Sequence, residues 1–373
     1  MTPYLLTGLA AFVISFVTTP IVRWFAKRIG AIDHPSDRKV HAHPTPTLGG
    51  MAIFVALIGG GIVAYLVPEL GFAPLFENSS EILGIAAGAI LIFALGVVDD
   101  FRALPAPVKL AGQVFASGVI FLAGVKMHYI RMPDGNTLSL SDDVSVLVTV
   151  VWLVAMINAV NLVDGLDGLA AGIVAIAGAS FFVYTFRLES SGGLGIATAA
   201  PLVAIITMGA ALGFLRHNFH PARIFMGDSG SMLLGLVLGS ATIIGVGSAF
   251  TAVAPSTAEV FLGYFPLLIP LSVLALPILD ALFAIARRAR RRRSLFHADK
   301  EHIHHRLMDL GHGHRAAVVV MYVWSALAAG AGLAFTFYET TGVVIALPIA
   351  VGALVLYTLF PVLTKALKQR ADI

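Results

Sequence analysis

Residues 145–187 read SVLVTVVWLVAMINAVNLVDGLDGLAAGIVAIAGASFFVYTFR, two apolar runs separated by one short polar string. Neither run shows the polar stripe that a helix on the surface of a water-soluble domain carries. A segment of about 20 apolar residues is long enough to cross the hydrocarbon of a bilayer as a helix. The stretch therefore reads as a short span, a tight turn and a longer span. The same alternation recurs along all 373 residues, which are 58% hydrophobic and only 12% charged, with a mean hydropathy of +0.90. A soluble domain carries roughly 25% charged residues, so the solvent of most of this chain is lipid, and an all-α polytopic membrane fold is expected.

Hydropathy places eleven helices at 4–24, 49–67, 82–98, 107–125, 145–157, 167–187, 196–214, 229–250, 263–286, 315–337 and 341–362. The region 126–143 is polar and contains Pro133-Asp134-Gly135, a turn signal that predicts a small hairpin. The first run, 3–24, has no basic residue ahead of it and no small-residue cleavage site, and it is too long for a signal-peptide core. It reads as a retained span. There is no cysteine, which excludes disulfides, thiolate nucleophiles and zinc–thiolate sites. No internal repeat of the kind found in many transporters is visible.

Of the 24 Lys and Arg residues, all except Lys126, Arg131 and Arg187 fall in one set of alternating loops and the C-terminal tail. Basic residues gather on the cytoplasmic side, so that set faces the cytoplasm and the N-terminus is external. The same excess explains the net charge of +3 without nucleic acid. The dense polar motifs all lie in this set. A transporter, the rival from another class, would carry them near mid-membrane at broken helices, so chemistry at one interface is favoured.

Asp99-Asp100 closes the third span. Paired carboxylates at a helix C-terminus oppose the helix dipole. The plainer alternative is a solvated helix end with Arg102 as counter-ion; the functional one is a metal or proton-transfer site. The string Asn158-Ala-Val-Asn161-Leu-Val-Asp164-Gly165-Leu-Asp167-Gly168-Leu169 is richer than one N-capping Asp requires. If the helix continues, Asp164 and Asp167 share a face, as do Asn158 and Asn161. In Asn218-Phe-His220-Pro-Ala-Arg223-Ile-Phe225-Met-Gly227-Asp228-Ser-Gly230, Asp228 reads as the N-cap of the eighth span, with flanking glycines that let phosphate or metal approach.

The long basic loop holds His297, Lys300, His302, His304 and His305, groups able to bind a metal, hold phosphate or shuttle protons near neutral pH. Its 287–293 arginine run is an anchor to anionic lipid, and His312 and His314 are read as incidental. In the first loop, Arg38 and Lys39 are placed to neutralise a pyrophosphate or lipid phosphate. Five loops supplying mainly Asp, with Asn, His, Arg and Gly, suit Mg²⁺-assisted transfer between phosphates. Elementary chemistry alone does not choose the sugar, lipid or nucleotide.

These residues resemble the polyprenyl-phosphate N-acetylhexosamine-1-phosphate transferase superfamily. The match rests on Val98-Asp99-Asp100 with Lys109-Leu-Ala-Gly112-Gln113, on 158–169, on 218–230 and on the histidine loop, in the family's order. The resemblance implies Mg²⁺ or Mn²⁺, a UDP-amino sugar donor, a polyprenyl phosphate acceptor, and UMP as leaving product. It implies Asp228 as metal ligand with Asp100 beside it. Asp99 and Asp100 would act on the lipid phosphate, Asp99 as base or nucleophile. Asp167, Asn218 and Phe225 would contact uridine, Phe225 by stacking on uracil. Asn158, Asn161, Asp164, Lys109, Arg38, Lys39 and His302 complete the expected substrate contacts, with His304 and His305 catalytic.

The pattern His302-Ile303-His304-His305-Arg306 and the loop 37–41 look like the branch that transfers GlcNAc-1-phosphate from UDP-GlcNAc to undecaprenyl or decaprenyl phosphate. Thr45-Pro46-Thr47 departs toward the muramoyl-pentapeptide branch. The expected setting is the bacterial inner membrane, with the site facing the cytoplasm, membrane lipids around it and a homodimer allowed for.

Overall fold

The structure, a computed structural model, describes residues 1–35, 43–77, 79–131, 137–190, 198–248, 307–308, 310–337 and 346–360. Helix α1 is Thr2–Arg28; a two-residue strand pair, β1 (Ile32–Asp33) and β2 (Thr45–Pro46), leads into α2 (Gly50–Leu66). Next come α3 (Ala73–Glu77), α4 (Glu81–Arg102) and α5 (Ala106–Leu122). The antiparallel hairpin β3 (Tyr129–Arg131) and β4 (Thr137–Ser139) follows, with Tyr129 opposite Ser139. It lies where the Pro-Asp-Gly turn predicts it. Then come α6 (Asp142–Val163), α7 (Leu169–Ser190), α8 (Ala200–Asn218) and α9 (Gly227–Ser248). The last two helices among the described residues are α10 (His314–Phe337) and α11 (Ala346–Phe360).

Among the described residues, seven helices are long and apolar enough to cross a membrane (α1, α4 and α6–α10), and α2, α5 and α11 are shorter apolar helices. The chain is thus a multi-pass, all-α membrane protein. The expected span at 263–286 lies outside the described residues, as do Arg38, Lys39, His302, His304, His305 and the 287–293 arginine run. One expectation is corrected: α6 is a 22-residue helix, not a short run ending at 157. It carries Asn158 and Asn161 in its last turns, because both amides find partners inside the bundle and need no turn to hydrate them.

The packing has the inside-out look of a lipid-solvated bundle. On α1 the large side chains Leu5, Leu9, Val13, Val17 and Ile21 are exposed, while Gly8, Ala11, Ser15 and Thr19 are buried. Helices in lipid gain nothing by hiding Leu from Leu-like tails, so small residues mark the contact faces. A Cβ on Gly209 of α8 would lie 2.1 Å from the Gly8 carbonyl oxygen, so α1 and α8 touch backbone to backbone. Helices α7, α8 and α9 form the interior, α4 packing along α5 and α9, and α6 along α5 and α9.

The same device locks the start of α9. A Cβ on Gly96 of α4 would sit 2.4 Å from Ser229 Cα, and one on Gly50 of α2 would sit 2.3 Å from the Gly230 nitrogen. These are backbone atoms that cannot rotate aside. Gly96→Val is therefore expected to drive α4 off α9 at a cost of about 1–3 kcal/mol. Thermal unfolding in detergent checks it, and an unchanged midpoint would mean that the crossing can loosen.

Candidate active site

Chain direction alternates through the bundle, so the polar motifs meet at one end. There the ends of α4, α6 and α8 face the starts of α2, α5, α7, α9 and α10. At the opposite end the Tyr4 hydroxyl of α1 donates to Glu189 of α7 at 3.0 Å.

Asp99 is 6% exposed. Its Oδ1 accepts the Leu104 N–H at 2.6 Å, just beyond the end of α4, and its Oδ2 pairs with the Lys109 ammonium. Lys109, not the exposed Arg102, is the counter-ion. It sits on the first turn of α5, brought round by the 103–105 connection, in which Ala103 adopts positive φ. The same ammonium donates to Asp228 Oδ2 at 2.7 Å. Asp228 Oδ1 accepts from the Asn161 amide at 2.9 Å, and that amide also reaches the Ser231 hydroxyl at 2.9 Å. One lysine and one asparagine therefore hold the Asp228 carboxylate from two sides.

Asp100 explains why two carboxylates tolerate a helix C-terminus. Its Oδ1 accepts the Asp228 N–H at 2.7 Å, and its Oδ2 accepts the Ser229 hydroxyl at 2.7 Å and the Ser229 N–H at 3.3 Å. The expected N-cap role of Asp228 is corrected accordingly. Helix α9 already begins at Gly227, and its free N–H groups are capped by Asp100 of α4, whose charge the positive end of α9 stabilises. Gly227 has φ +73°, and a Cβ there would lie 2.6 Å from Asp100 Oδ2, so only glycine admits this contact.

Residues 164–168 form a turn rather than a continuing helix, with Gly168 at φ +81°. Asp164 and Asp167 thus do not share a helical face. Among the described residues no donor reaches the Asp164 carboxylate. Burial, and then the negative charges of Asp228, Asp100 and Asp167, push it up to about 8. Asp167 turns to the other side, toward His220. Asn218 is buried; it accepts the Gly168 N–H at 3.0 Å and donates to the Ile224 carbonyl at 2.9 Å, tying the two motif loops together. Phe225 is half-buried, and its backbone pairs with Pro46 and Gly49, so the start of α2 borders the same site. The Asn158 amide is taken by Gln113 Oε1 at 2.7 Å and by the Val154 carbonyl at 2.8 Å, which makes it a tie between α5 and α6.

Several participants were not singled out from the sequence. Ser229 and Ser231 serve the aspartates. His220, and His314, which was read as incidental, stack ring on ring against Asp167. The nearness of Gly to Asp signalled the first pair. No local signal marked the second, because His314 is brought there by packing of α10 on α7.

Buried and half-buried carboxylates, an ammonium and amides gathered at one end of a membrane-spanning bundle are groups suited to holding phosphates. Comparison with known proteins agrees. Residues 82–246 match the model of glycosyl transferase family 4. A Mycolicibacterium smegmatis protein named decaprenyl-phosphate N-acetylglucosaminephosphotransferase is 38% identical over 363 residues, covering 96% of this chain and 89% of that protein. A Bacillus subtilis protein, "Probable undecaprenyl-phosphate N-acetylglucosaminyl 1-phosphate transferase", is 37% identical across 84% of this chain and 80% of its own. The phospho-N-acetylmuramoyl-pentapeptide-transferase of Frankia alni is 34% identical across 64% of this chain and 75% of its own. The chain belongs to glycosyl transferase family 4.

Proposed function

We propose that this chain transfers GlcNAc-1-phosphate from UDP-GlcNAc to a polyprenyl phosphate. The products are UMP and a polyprenyl-pyrophosphoryl-GlcNAc that opens a cell-envelope polysaccharide. The setting is the cytoplasmic face of a bacterial inner membrane, the side to which the basic loops belong. The observation that carries the reading is the linked set at the end of the bundle, in which the Lys109 ammonium pairs with Asp99 and Asp228 and Asp100 holds the backbone of Asp228. The names of the relatives that span most of the chain support the sugar and the lipid.

In this reading an oxygen of the lipid phosphate attacks the β-phosphorus of the donor. The bond from that phosphorus to the α,β-bridging oxygen breaks, and its electron pair leaves on UMP. Asp99, held in place by Leu104 and Lys109, receives any proton the lipid phosphate carries. Lys109, on its long flexible stem, can turn its ammonium from the carboxylates to phosphate oxygens. Asp167 and Phe225 meet the uridine, with Asn218 joining the loops that carry them.

The site fits a hard divalent cation. Its ligand atoms are all carboxylate oxygens, the Asp164 carboxylate feels the charges of Asp228 and Asp100 with no hydrogen-bond donor among the described residues, and the Lys109 ammonium is divided between Asp99 and Asp228. Asp228, with Asp100 and Asp164, would hold Mg²⁺ or Mn²⁺, which when bound supplies charge neutralisation for the phosphates.

The test is incubation of the detergent-solubilised protein with polyprenyl phosphate and Mg²⁺, giving radiolabelled UDP-GlcNAc and UDP-MurNAc-pentapeptide in parallel. Label from UDP-GlcNAc alone entering the lipid phase, with UMP released, is expected. Label from the muramoyl donor alone would overturn the sugar, and label from neither would overturn the reaction.

A further inference from the structure

The second cluster, Asp167, His220 and His314, joins three separate elements, and the chemistry assigned above does not explain it. Asp167 Oδ2 accepts the Ala222 N–H at 3.0 Å and lies 2.7 Å from His220 Nδ1. Its other oxygen has no donor among the described residues. The His220 ring lies on the His314 ring with centroids 4.0 Å apart and 18° between planes. Arg315 Nε donates to the His220 carbonyl at 2.9 Å, and the Tyr322 hydroxyl donates to the Gly168 carbonyl. Helix α10 thus grips both the turn that carries Asp167 and the loop that carries His220.

The potential ligand atoms of these three side chains lie within 4.8 Å of one another, which raises the question of a metal. The ring geometry argues against one. Lone pairs of near-parallel stacked imidazoles run side by side and do not converge on a point about 2.1 Å from each, as a shared ion requires. The 2.7 Å contact of His220 with Asp167 is instead a direct hydrogen bond. Because a carboxylate only accepts, Nδ1 must carry the proton.

We propose that His220 is a positioning residue for donor binding: it fixes Asp167 Oδ2 so that the other oxygen presents itself to the nucleobase, and His314 is the platform that fixes the His220 ring. The inference rests on the reading that Asp167 meets the donor's uridine. Of the two substrates, only the uracil offers an imide N–H to a free carboxylate oxygen; the lipid phosphate offers acceptors, which a carboxylate repels. A defect in this relay therefore falls on the donor and spares the acceptor.

The experiment uses the full-length enzyme in detergent, with KM for UDP-GlcNAc, KM for polyprenyl phosphate and kcat measured separately, and thermal unfolding as a check on folding. His220→Ala is expected to raise the donor KM about tenfold or more, the loss of one charge-assisted hydrogen bond, with the acceptor KM unchanged. His220→Asn places an amide N–H near the position of Nδ1 and should restore most of the donor affinity. His314→Phe keeps the stacked face and should behave like the parent, whereas His314→Ala should follow His220→Ala.

An equal rise in both KM values, a fall in kcat alone, or an asparagine variant as poor as the alanine variant would overturn the relay. So would stoichiometric zinc in the parent protein that is lost with His314→Ala. Asp167→Asn separates the two layers. An unchanged donor KM there would overturn the uridine reading itself, while a raised one beside a normal His220→Ala would overturn only the positioning role.

Discussion

Asp228→Ala is expected to abolish transfer from UDP-GlcNAc while the protein still inserts and folds. The side chain stands where three elements converge: the Lys109 ammonium of α5, the Asn161 amide of α6, and its own helix α9. Its removal takes away the carboxylate that pairs with Lys109 and that would hold the proposed cation. A loss of about 10³-fold or more follows if it organises the charge on the transferring phosphate. The fold should survive, because the backbone of α9 remains capped by Asp100 and locked against Gly50 and Gly96. Asp228→Asn should be as inactive as the alanine variant, since it keeps the shape and loses the charge. Membrane-inserted protein retaining a tenth of parental turnover would remove Asp228 from the chemistry.

Asp100→Ala is expected to do something different, costing stability as well as activity. The carboxylate serves three donors at the start of α9, namely two backbone N–H groups and the buried Ser229 hydroxyl. Loss of an N-cap costs about 1 kcal/mol, and a buried donor left without a partner costs about 1–3 kcal/mol. The variant should therefore unfold several degrees below the parent and lose turnover by about 10²-fold or more, because Asp228 sits on the turn that loosens. Asp100→Asn, which keeps an acceptor oxygen, should recover part of the unfolding temperature. An alanine variant with parental stability and no activity would show that Asp100 acts chemically and that its capping is dispensable.

The membrane-spanning, helical character of the chain was legible because lipid imposes one rule on every residue of a crossing helix, and that rule shows in composition. The hairpin after α5 was legible because Pro and Gly act locally. Site partnerships were harder to read. Lys109 was visible as a motif residue but not as the counter-ion of Asp99, since the left-handed Ala103 that folds α5 back carries no glycine to announce it. The i, i+3 argument for Asp164 and Asp167 failed because α6 ends at Val163 and Asp164 already leaves helical geometry at ψ +47°, so the two carboxylates part. His314 looked incidental beside the denser histidines before it. Its partner lies 94 positions upstream, and only the packing of α10 joins them.

The trans cap also has a mechanical meaning. Asp100 belongs to one helix and completes the hydrogen bonding of another that runs the opposite way, so the relative positions of Asp99, Asp100 and Asp228 are set by how far two rods have slid past each other. One residue of axial slip is about 1.5 Å, enough to carry a 2.7 Å bond beyond hydrogen-bond reach. Gly96 and Gly50 act as the pawls that prevent that slip, seated against backbone with no slack. Bilayer thickness acts along the same axis. The site is thereby shielded from ordinary variation in its membrane, and strain large enough to disengage the glycines would silence it in one step.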